Sequence, residues 1–151
     1  MTPITRRTAF GLLAAPAFLA AAPAHAAQPR IYAEDGIAID GSDPVAYFRG
    51  NGPVAGDAAQ TVRWEGATWR FDSPDNARRF QDDPTGFAPQ FGGYCAFAAS
   101  RGYLAHTIPE AWTLHDGQLF LNASLRAREL WLADLEANIA KGRANWPGIL
   151  G

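Results

Sequence analysis

Two stretches of the chain have the pattern of extended segments on either side of a turn, and the first alternates apolar and polar side chains with the period of two that is typical of half-buried β-strands. The first is residues 61–71, interrupted by Glu65 and Gly66. A two-residue connection that contains glycine is typical of a β-hairpin, so we expect an antiparallel pair of strands here. With Glu65 and Gly66 as the turn, Val62 lies opposite Trp69, and this pair is predicted to build one side of the core.

Residues 112–121 form the second stretch, two four-residue segments around Asp116 and Gly117. Asp-Gly between extended segments is the strongest short-range signal for a hairpin, because both residues tolerate a left-handed backbone. Residues 103–111, just before it, show no regular pattern and are predicted to be irregular.

Two helices follow the two hairpins. Ser73 is a good N-cap and Pro74 fits the first helical position, so a short helix is predicted to begin here and to end before Pro84. Ser124 caps a second, longer helix over residues 125–141, whose apolar side chains recur at helical spacing. The pattern predicts a small single α+β domain with two β-hairpins, a short helix after the first and a longer C-terminal helix.

The N-terminal residues have the pattern of an export signal. A positive pair at residues 6–7 precedes an apolar run at residues 9–22 and a small-x-small cleavage site at residues 24–26. This pattern predicts a cleaved signal peptide over residues 1–26, and a periplasmic or secreted domain over residues 27–151. The arginine pair also matches a twin-arginine signal in part, so both export routes stay open.

Charge and hydropathy narrow the classes of partner. Two of the 13 basic side chains lie in the leader, so residues 27–151 carry 11 basic against 15 acidic side chains, a net charge of −4. Nucleic acid is a poor partner for such a surface, because binding depends on phosphate neutralisation. No second apolar run is long enough to cross a membrane, so we expect no membrane span after the leader.

Cys95 is the only cysteine of the chain, and it follows Gly92, Gly93 and Tyr94. The glycines permit a tight bend, and the aromatic neighbours indicate a buried setting. A single cysteine cannot form an internal disulfide. Three interpretations stay open: a buried packing residue, a ligand for a metal ion, or a reactive redox thiol.

The metal interpretation needs partners for the thiolate. Cys95 with His106 or His115 would suit copper, zinc or iron, although this spacing matches no standard metal motif. As a redox thiol, Cys95 lacks a second cysteine to resolve a mixed disulfide. The chain has none of the common hydrolase, metalloprotease or dinucleotide motifs, which favours a protein without catalytic activity of its own.

Several segments together resemble the bacterial exported YHS domain-containing (seleno)proteins. The resemblance lies in Gly-Ser-Asp-Pro-Val-Ala-Tyr-Phe at residues 41–48, the hairpin and helix at residues 64–80, and Ala-Pro-Gln-Phe-Gly-Gly-Tyr-Cys-Ala at residues 88–96. Asn-Trp-Pro at residues 145–147 adds to it. The resemblance covers about residues 36–147.

The resemblance implies a small α+β domain that, in its wider group, binds metal through cysteines. Those cysteines fall near Asp-Pro-Val and just after the first hairpin, where this chain has Asp43, Asp72 and Asn76. The cysteine site of the wider group is therefore not carried over. The family label also implies that a selenocysteine occurs in the group, and Cys95 is the natural candidate for its position.

Two functional hypotheses follow. In the first, the chain is an exported YHS-domain protein that handles a metal ion or takes part in redox chemistry through Cys95, with Tyr94 and Gly93 shaping the site. Its partner would be a metal ion or another periplasmic protein. In the second, the chain is a non-catalytic interaction or structural module in which Cys95 is buried.

Overall fold

The computed structural model describes residues 25–50 and 52–151. Nearly all of the predicted signal peptide, residues 1–24, lies outside this range. The described chain is a small α+β domain with a four-stranded sheet, a separate two-stranded sheet and five α-helices. This confirms the predicted fold class.

The larger sheet has the strand order β1-β2-β4-β3. Its strands are β1 (Ala33–Glu34), β2 (Ile37–Ala38), β3 (Asp57–Trp64) and β4 (Ala67–Phe71). β3 and β4 form the predicted hairpin, and Val62 pairs with Trp69 as expected. β2 runs parallel to β4 through the pair Ile37 and Thr68, a long-range contact that the alternation pattern does not reveal.

Helix α1 (Pro74–Asp82) covers the buried face of this sheet. It begins as predicted, because the Ser73 side chain accepts a hydrogen bond from the Asn76 N–H at 3.2 Å. The Phe80 ring lies 5.0 Å from Trp69 and 5.2 Å from Phe71, centroid to centroid. These three aromatic side chains, all fully buried, form the centre of the first hydrophobic core.

The second hairpin consists of β5 (Ile108–His115) and β6 (Gln118–Asn122), joined at the predicted Asp-Gly turn. β5 begins at Ile108, so the prediction that residues 103–111 are irregular is wrong for residues 108–111. A shift of register between Ile108 and Trp112 interrupts the pairing and masks the period of two in the sequence. β6 is buried on both faces, since Leu119 and Leu121 enter the first core and Phe120 enters a second.

The predicted single C-terminal helix over residues 125–141 is in fact two helices, α4 (Leu125–Leu132) and α5 (Leu135–Asn145). Ser124 caps α4 as expected. The break depends on Asn138, whose buried side-chain amide donates a hydrogen bond to the Trp131 carbonyl at 2.9 Å. The Trp131 carbonyl therefore has a hydrogen-bond partner even though the helix does not continue.

Helix α5 also continues past Gly142, where the sequence favoured an end. A Cβ atom at Gly142 would lie 2.6 Å from Cζ of Phe91. Glycine therefore serves here to admit the Phe91 ring against the helix rather than to end it. Phe91, Phe120, Trp131 and Ile139 form most of the second core.

Two short helices and several 3₁₀ turns complete the fold. The helices are α2 (Pro84–Phe87) and α3 (Ala96–Ser100). The 3₁₀ turns span Ile39–Gly41, Ala46–Arg49, Gln90–Gly93 and Gly148–Leu150. Across residues 25–50 and 52–151, no helix has both the length and the apolar character that a membrane span requires.

Candidate functional site

The bend before Cys95 has the backbone conformation that the glycine pair predicted. Phe91, Gly92 and Gly93 have φ angles of 55°, 62° and 84°, so three consecutive residues lie in the left-handed region. A Cβ atom at Gly92 would lie 1.9 Å from the carbonyl oxygen of Arg30, which excludes any side chain there. The bend turns the chain directly into the start of α3.

Cys95 is the N-cap residue of α3 and is 1% exposed. Its Sγ accepts hydrogen bonds from the N–H groups of Ala98 at 3.5 Å and Ala123 at 3.3 Å. The thiol in turn lies 3.4 Å from Oδ1 of Asn122, to which it donates. The same oxygen accepts from the Phe97 N–H at 2.9 Å. Cys95 therefore joins α3 to the end of β6.

This setting has two chemical consequences. Two backbone N–H groups are directed at Sγ, a hydrogen-bonding arrangement that reactive cysteines at helix N-termini also have. Burial, however, closes the thiol to any reagent that must approach from solvent. Nδ2 of Asn122 is buried and has no hydrogen-bond partner in the described chain.

The two candidate histidine ligands lie in different places. Nε2 of His115 is 2.8 Å from Oε1 of Glu136 at the surface and 3.4 Å from the carboxylate of Asp116. His106 is exposed and lines a cleft that is described below. Neither histidine is among the hydrogen-bond partners of the Cys95 thiol.

The donor set around Cys95 does not fit a transition metal. Its polar neighbours are amide groups rather than imidazoles or carboxylates, which copper, zinc and iron prefer. Within residues 25–50 and 52–151, no three His, Cys, Asp or Glu side chains come close enough together to hold a metal ion.

Asp43, Asp72 and Asn76, from the loop before the first hairpin and the start of the helix after it, come together around the Asp43 carboxylate. This carboxylate is fully buried and accepts four hydrogen bonds. The donors are Val45 N–H at 2.8 Å, Ala46 N–H at 3.2 Å, Asp72 N–H at 2.8 Å and Asn76 Nδ2 at 2.7 Å. The Arg49 guanidinium donates to Asn76 and supplies a compensating charge. These bonds use the acceptor capacity of Asp43, so the cluster is closed to an added ion.

A larger cleft, which we call the tyrosine cleft, opens beside the bend. It is broadly open to solvent and has a volume of about 500 Å³. Its walls include three of the four tyrosines of the chain, together with two aliphatic side chains and a histidine: Tyr32, Tyr94, Tyr103, Leu104, Ile149 and His106. The predicted site residues Tyr94 and His106 thus meet here. Cys95 lies behind one wall, where its N–H donates to the Ala105 carbonyl at 3.0 Å.

Two carboxylates lie behind the part of the cleft wall that Tyr32 forms. The Tyr32 hydroxyl lies 3.1 Å from Oε1 of Glu34 and 3.3 Å from Oδ1 of Asp40. Burial, and after it the hydrogen bond to Glu34, raise the pKa of Tyr32, which therefore stays a neutral hydrogen-bond donor. Burial also raises the pKa of Asp40, and the nearby charges of Glu34 and Glu110 act in the same direction.

Tyr94 forms the part of the wall next to Tyr32. Its hydroxyl donates to the Pro29 carbonyl at 2.8 Å, and burial raises the pKa of Tyr94. Its ring lies 5.8 Å from that of Tyr32 at an angle of 59°. Sequence reasoning missed Tyr32, Tyr103 and Asp40 as site residues, because no motif or spacing connects segments so far apart in the chain.

The comparisons with known proteins add no relative to this picture. The chain matches no protein-family model, no curated protein and no solved structure. The candidate site is therefore defined by the chain's own geometry: a sealed thiol behind an open tyrosine cleft.

Proposed function

We propose that this chain is an exported, non-catalytic binding module of the YHS type, in which Cys95 has a structural role. The observation that carries the proposal is the state of the thiol, which is 1% exposed and has three hydrogen-bond partners. A free cysteine in such a setting behaves as a small buried residue. Export rests on the signal pattern of residues 1–26, and the YHS assignment rests on the sequence resemblance.

Labelling of the thiol tests this proposal. The native protein is treated with an excess of 5,5′-dithiobis(2-nitrobenzoate), and the rate is compared with that of the unfolded protein. We expect native labelling to be slower by roughly a thousandfold or more, because it requires an opening that costs several kcal/mol. A Cys95→Ser, Leu125→Cys double variant is the control, since Leu125 is 61% exposed and a thiol there should react at once.

Metal content tests the competing hypothesis on the same preparation. The protein is purified without chelators and analysed for copper, zinc and iron beside the Cys95→Ser variant. We expect no stoichiometric metal in either protein. Near-stoichiometric metal that disappears with the serine would overturn the structural role and establish metal handling through Cys95.

A redox-associated thiol is the second candidate function. The observation that favours it is the pair of backbone N–H groups directed at Sγ, an arrangement that reactive cysteines at helix N-termini also have. In that case the native thiol would react with the reagent as fast as the exposed control cysteine does. The same labelling experiment therefore separates the two functions.

A further inference from the structure

We propose that the tyrosine cleft binds a small organic cation, a protonated amine or quaternary ammonium group attached to an apolar portion. This inference concerns a different part of the molecule from the Cys95 thiol and does not depend on the role of that residue. It rests on the volume of the cleft, its aromatic lining and the sign of the nearby charges.

The size of the cleft suits a small ligand. Its volume of about 500 Å³ lies within the 300–1,000 Å³ that small-molecule sites in proteins commonly occupy. Leu104 and Ile149 supply an apolar portion of the wall, while Tyr103, which is 55% exposed, stands at the rim. A ligand can therefore enter from solvent without unfolding any element.

The aromatic lining suits a cation. Tyrosine rings carry negative charge on their faces and attract ammonium groups within about 6 Å. Tyr32 and Tyr94 are each 8% exposed and their rings pack on each other at 5.8 Å, so Tyr103, which is 55% exposed, offers the accessible ring face. Hydrogen bonding of Tyr32 to Glu34 and Asp40 polarises its phenol and increases the negative charge on the ring.

The charges near the cleft have the matching sign. The Glu34 and Asp40 carboxylates lie 3.1 and 3.3 Å from the Tyr32 hydroxyl, so two negative charges stand behind one of the lining rings. None of the described residues that line the cleft is a lysine or an arginine. His106 is the one lining residue that could carry a positive charge. An anionic ligand would therefore meet repulsion from the Glu34 and Asp40 carboxylates behind Tyr32, whereas a cation is attracted.

The test compares two probes that differ only in charge. Choline and its uncharged carbon isostere, 3,3-dimethylbutan-1-ol, are titrated into the protein, and binding is followed by the NMR signals of the cleft residues. We expect choline to bind at least about two- to fivefold more tightly, the factor that an exposed cation–π contact supplies. Equal binding of the two probes, or no shift of the cleft signals with either, would overturn the proposal.

Variants at the rim test the aromatic contribution. Tyr103→Ala should weaken choline binding by about two- to fivefold, and Tyr103→Phe should leave it unchanged because the ring remains. Tyr103 is exposed, so neither change threatens the fold. Equal losses in the two variants, or none in either, would contradict a contact with the ring face.

A charge variant tests the electrostatic contribution. Asp40→Asn should weaken choline binding by about twofold or more, with a smaller effect at high salt. Asp116→Asn is the matched control, because Asp116 also has a left-handed backbone but lies in the β5–β6 turn. If the two variants bind choline equally well, the carboxylate at Asp40 does not contribute and the cation assignment fails.

Discussion

Asp43 shows how a single carboxylate can connect segments that are far apart in the chain. In the sequence it belongs to Asp-Gly-Ser-Asp-Pro, where local turn formation explains it. In the structure, one oxygen accepts from the N–H groups of Val45 and Ala46, and the other from Asp72 and Asn76. It therefore fixes the loop before the Ala46–Arg49 turn against the start of α1.

Replacing Asp43 tests this role. In Asp43→Asn, one acceptor oxygen becomes an NH₂ group that faces two further donors, so at least two buried hydrogen bonds are lost. We expect the free energy of unfolding to fall by about 2–4 kcal/mol, measured by urea titration. Asp57→Asn is the control, because Asp57 is exposed and accepts one backbone hydrogen bond at 2.8 Å. An equal, small effect of both changes would contradict the buried role of Asp43.

At the scale of elements, the packing of α5 against the bend before Cys95 depends on one aromatic ring that fits against one glycine. The Phe91 ring is 5% exposed and packs against Phe120 and Trp146 at centroid distances of 6.0 and 6.2 Å. It reaches α5 at Gly142, the one point where the helix presents no side chain to it. A left-handed backbone at Phe91 directs the ring there.

Two effects of known size compete at Gly142. In a helix, Gly→Ala normally adds about 1 kcal/mol of stability. Here the new methyl group would lie 2.6 Å from a ring that is packed on its other sides, and overpacking costs about 1–3 kcal/mol. We therefore expect Gly142→Ala to lower the free energy of unfolding by about 1 kcal/mol in a urea titration.

Gly148→Ala is the control for this prediction, since a Cβ atom at Gly148 meets nothing within 4 Å. We expect its effect to stay within about 0.5 kcal/mol. A second check is Phe91→Leu combined with Gly142→Ala, in which the smaller side chain should relieve part of the loss. A stabilising Gly142→Ala substitution would show that the ring moves away without cost.

For the whole molecule, the two ends of the described domain are joined to each other and to the tyrosine cleft. The Gln28 N–H donates to the Leu150 carbonyl at 2.7 Å. Leu150 packs with Tyr32 and Tyr94 in a third cluster of buried side chains. The core therefore extends beyond the residues 36–147 that the sequence resemblance covers.

Replacing Leu150 with alanine tests how much this contact between the chain ends contributes to stability. Leu150 is 9% exposed, so Leu150→Ala should lower the free energy of unfolding by about 2 kcal/mol, the low end of the range for buried leucines. The measurement is thermal or urea unfolding of each variant. Leu125→Ala, at a leucine that is 61% exposed, should change stability by less than about 0.5 kcal/mol. Equal effects of the two substitutions would mean that the end of the chain contributes nothing to the core.

The sequence by itself determined the features that depend on neighbouring residues. The turns at Glu65-Gly66 and Asp116-Gly117 each need two residues with a left-handed backbone, which the glycine adopts without strain, and both hairpins form with the predicted turns. Ser73 and Ser124 cap their helices because a cap requires only a hydroxyl three residues before an N–H group. The left-handed bend at Gly92 and Gly93 follows from the same local physics.

Only the tertiary structure decided the features that depend on distant partners. The helix break needs the Asn138 side chain to reach the Trp131 carbonyl, and α5 passes Gly142 because a ring from another segment fills the space. Whether Cys95 is accessible depends on Ala123 and Asn122, which follow it by 28 and 27 residues. Burial and cleft formation depend on which distant segments pack together. The local periodicity of a single sequence does not reveal that packing.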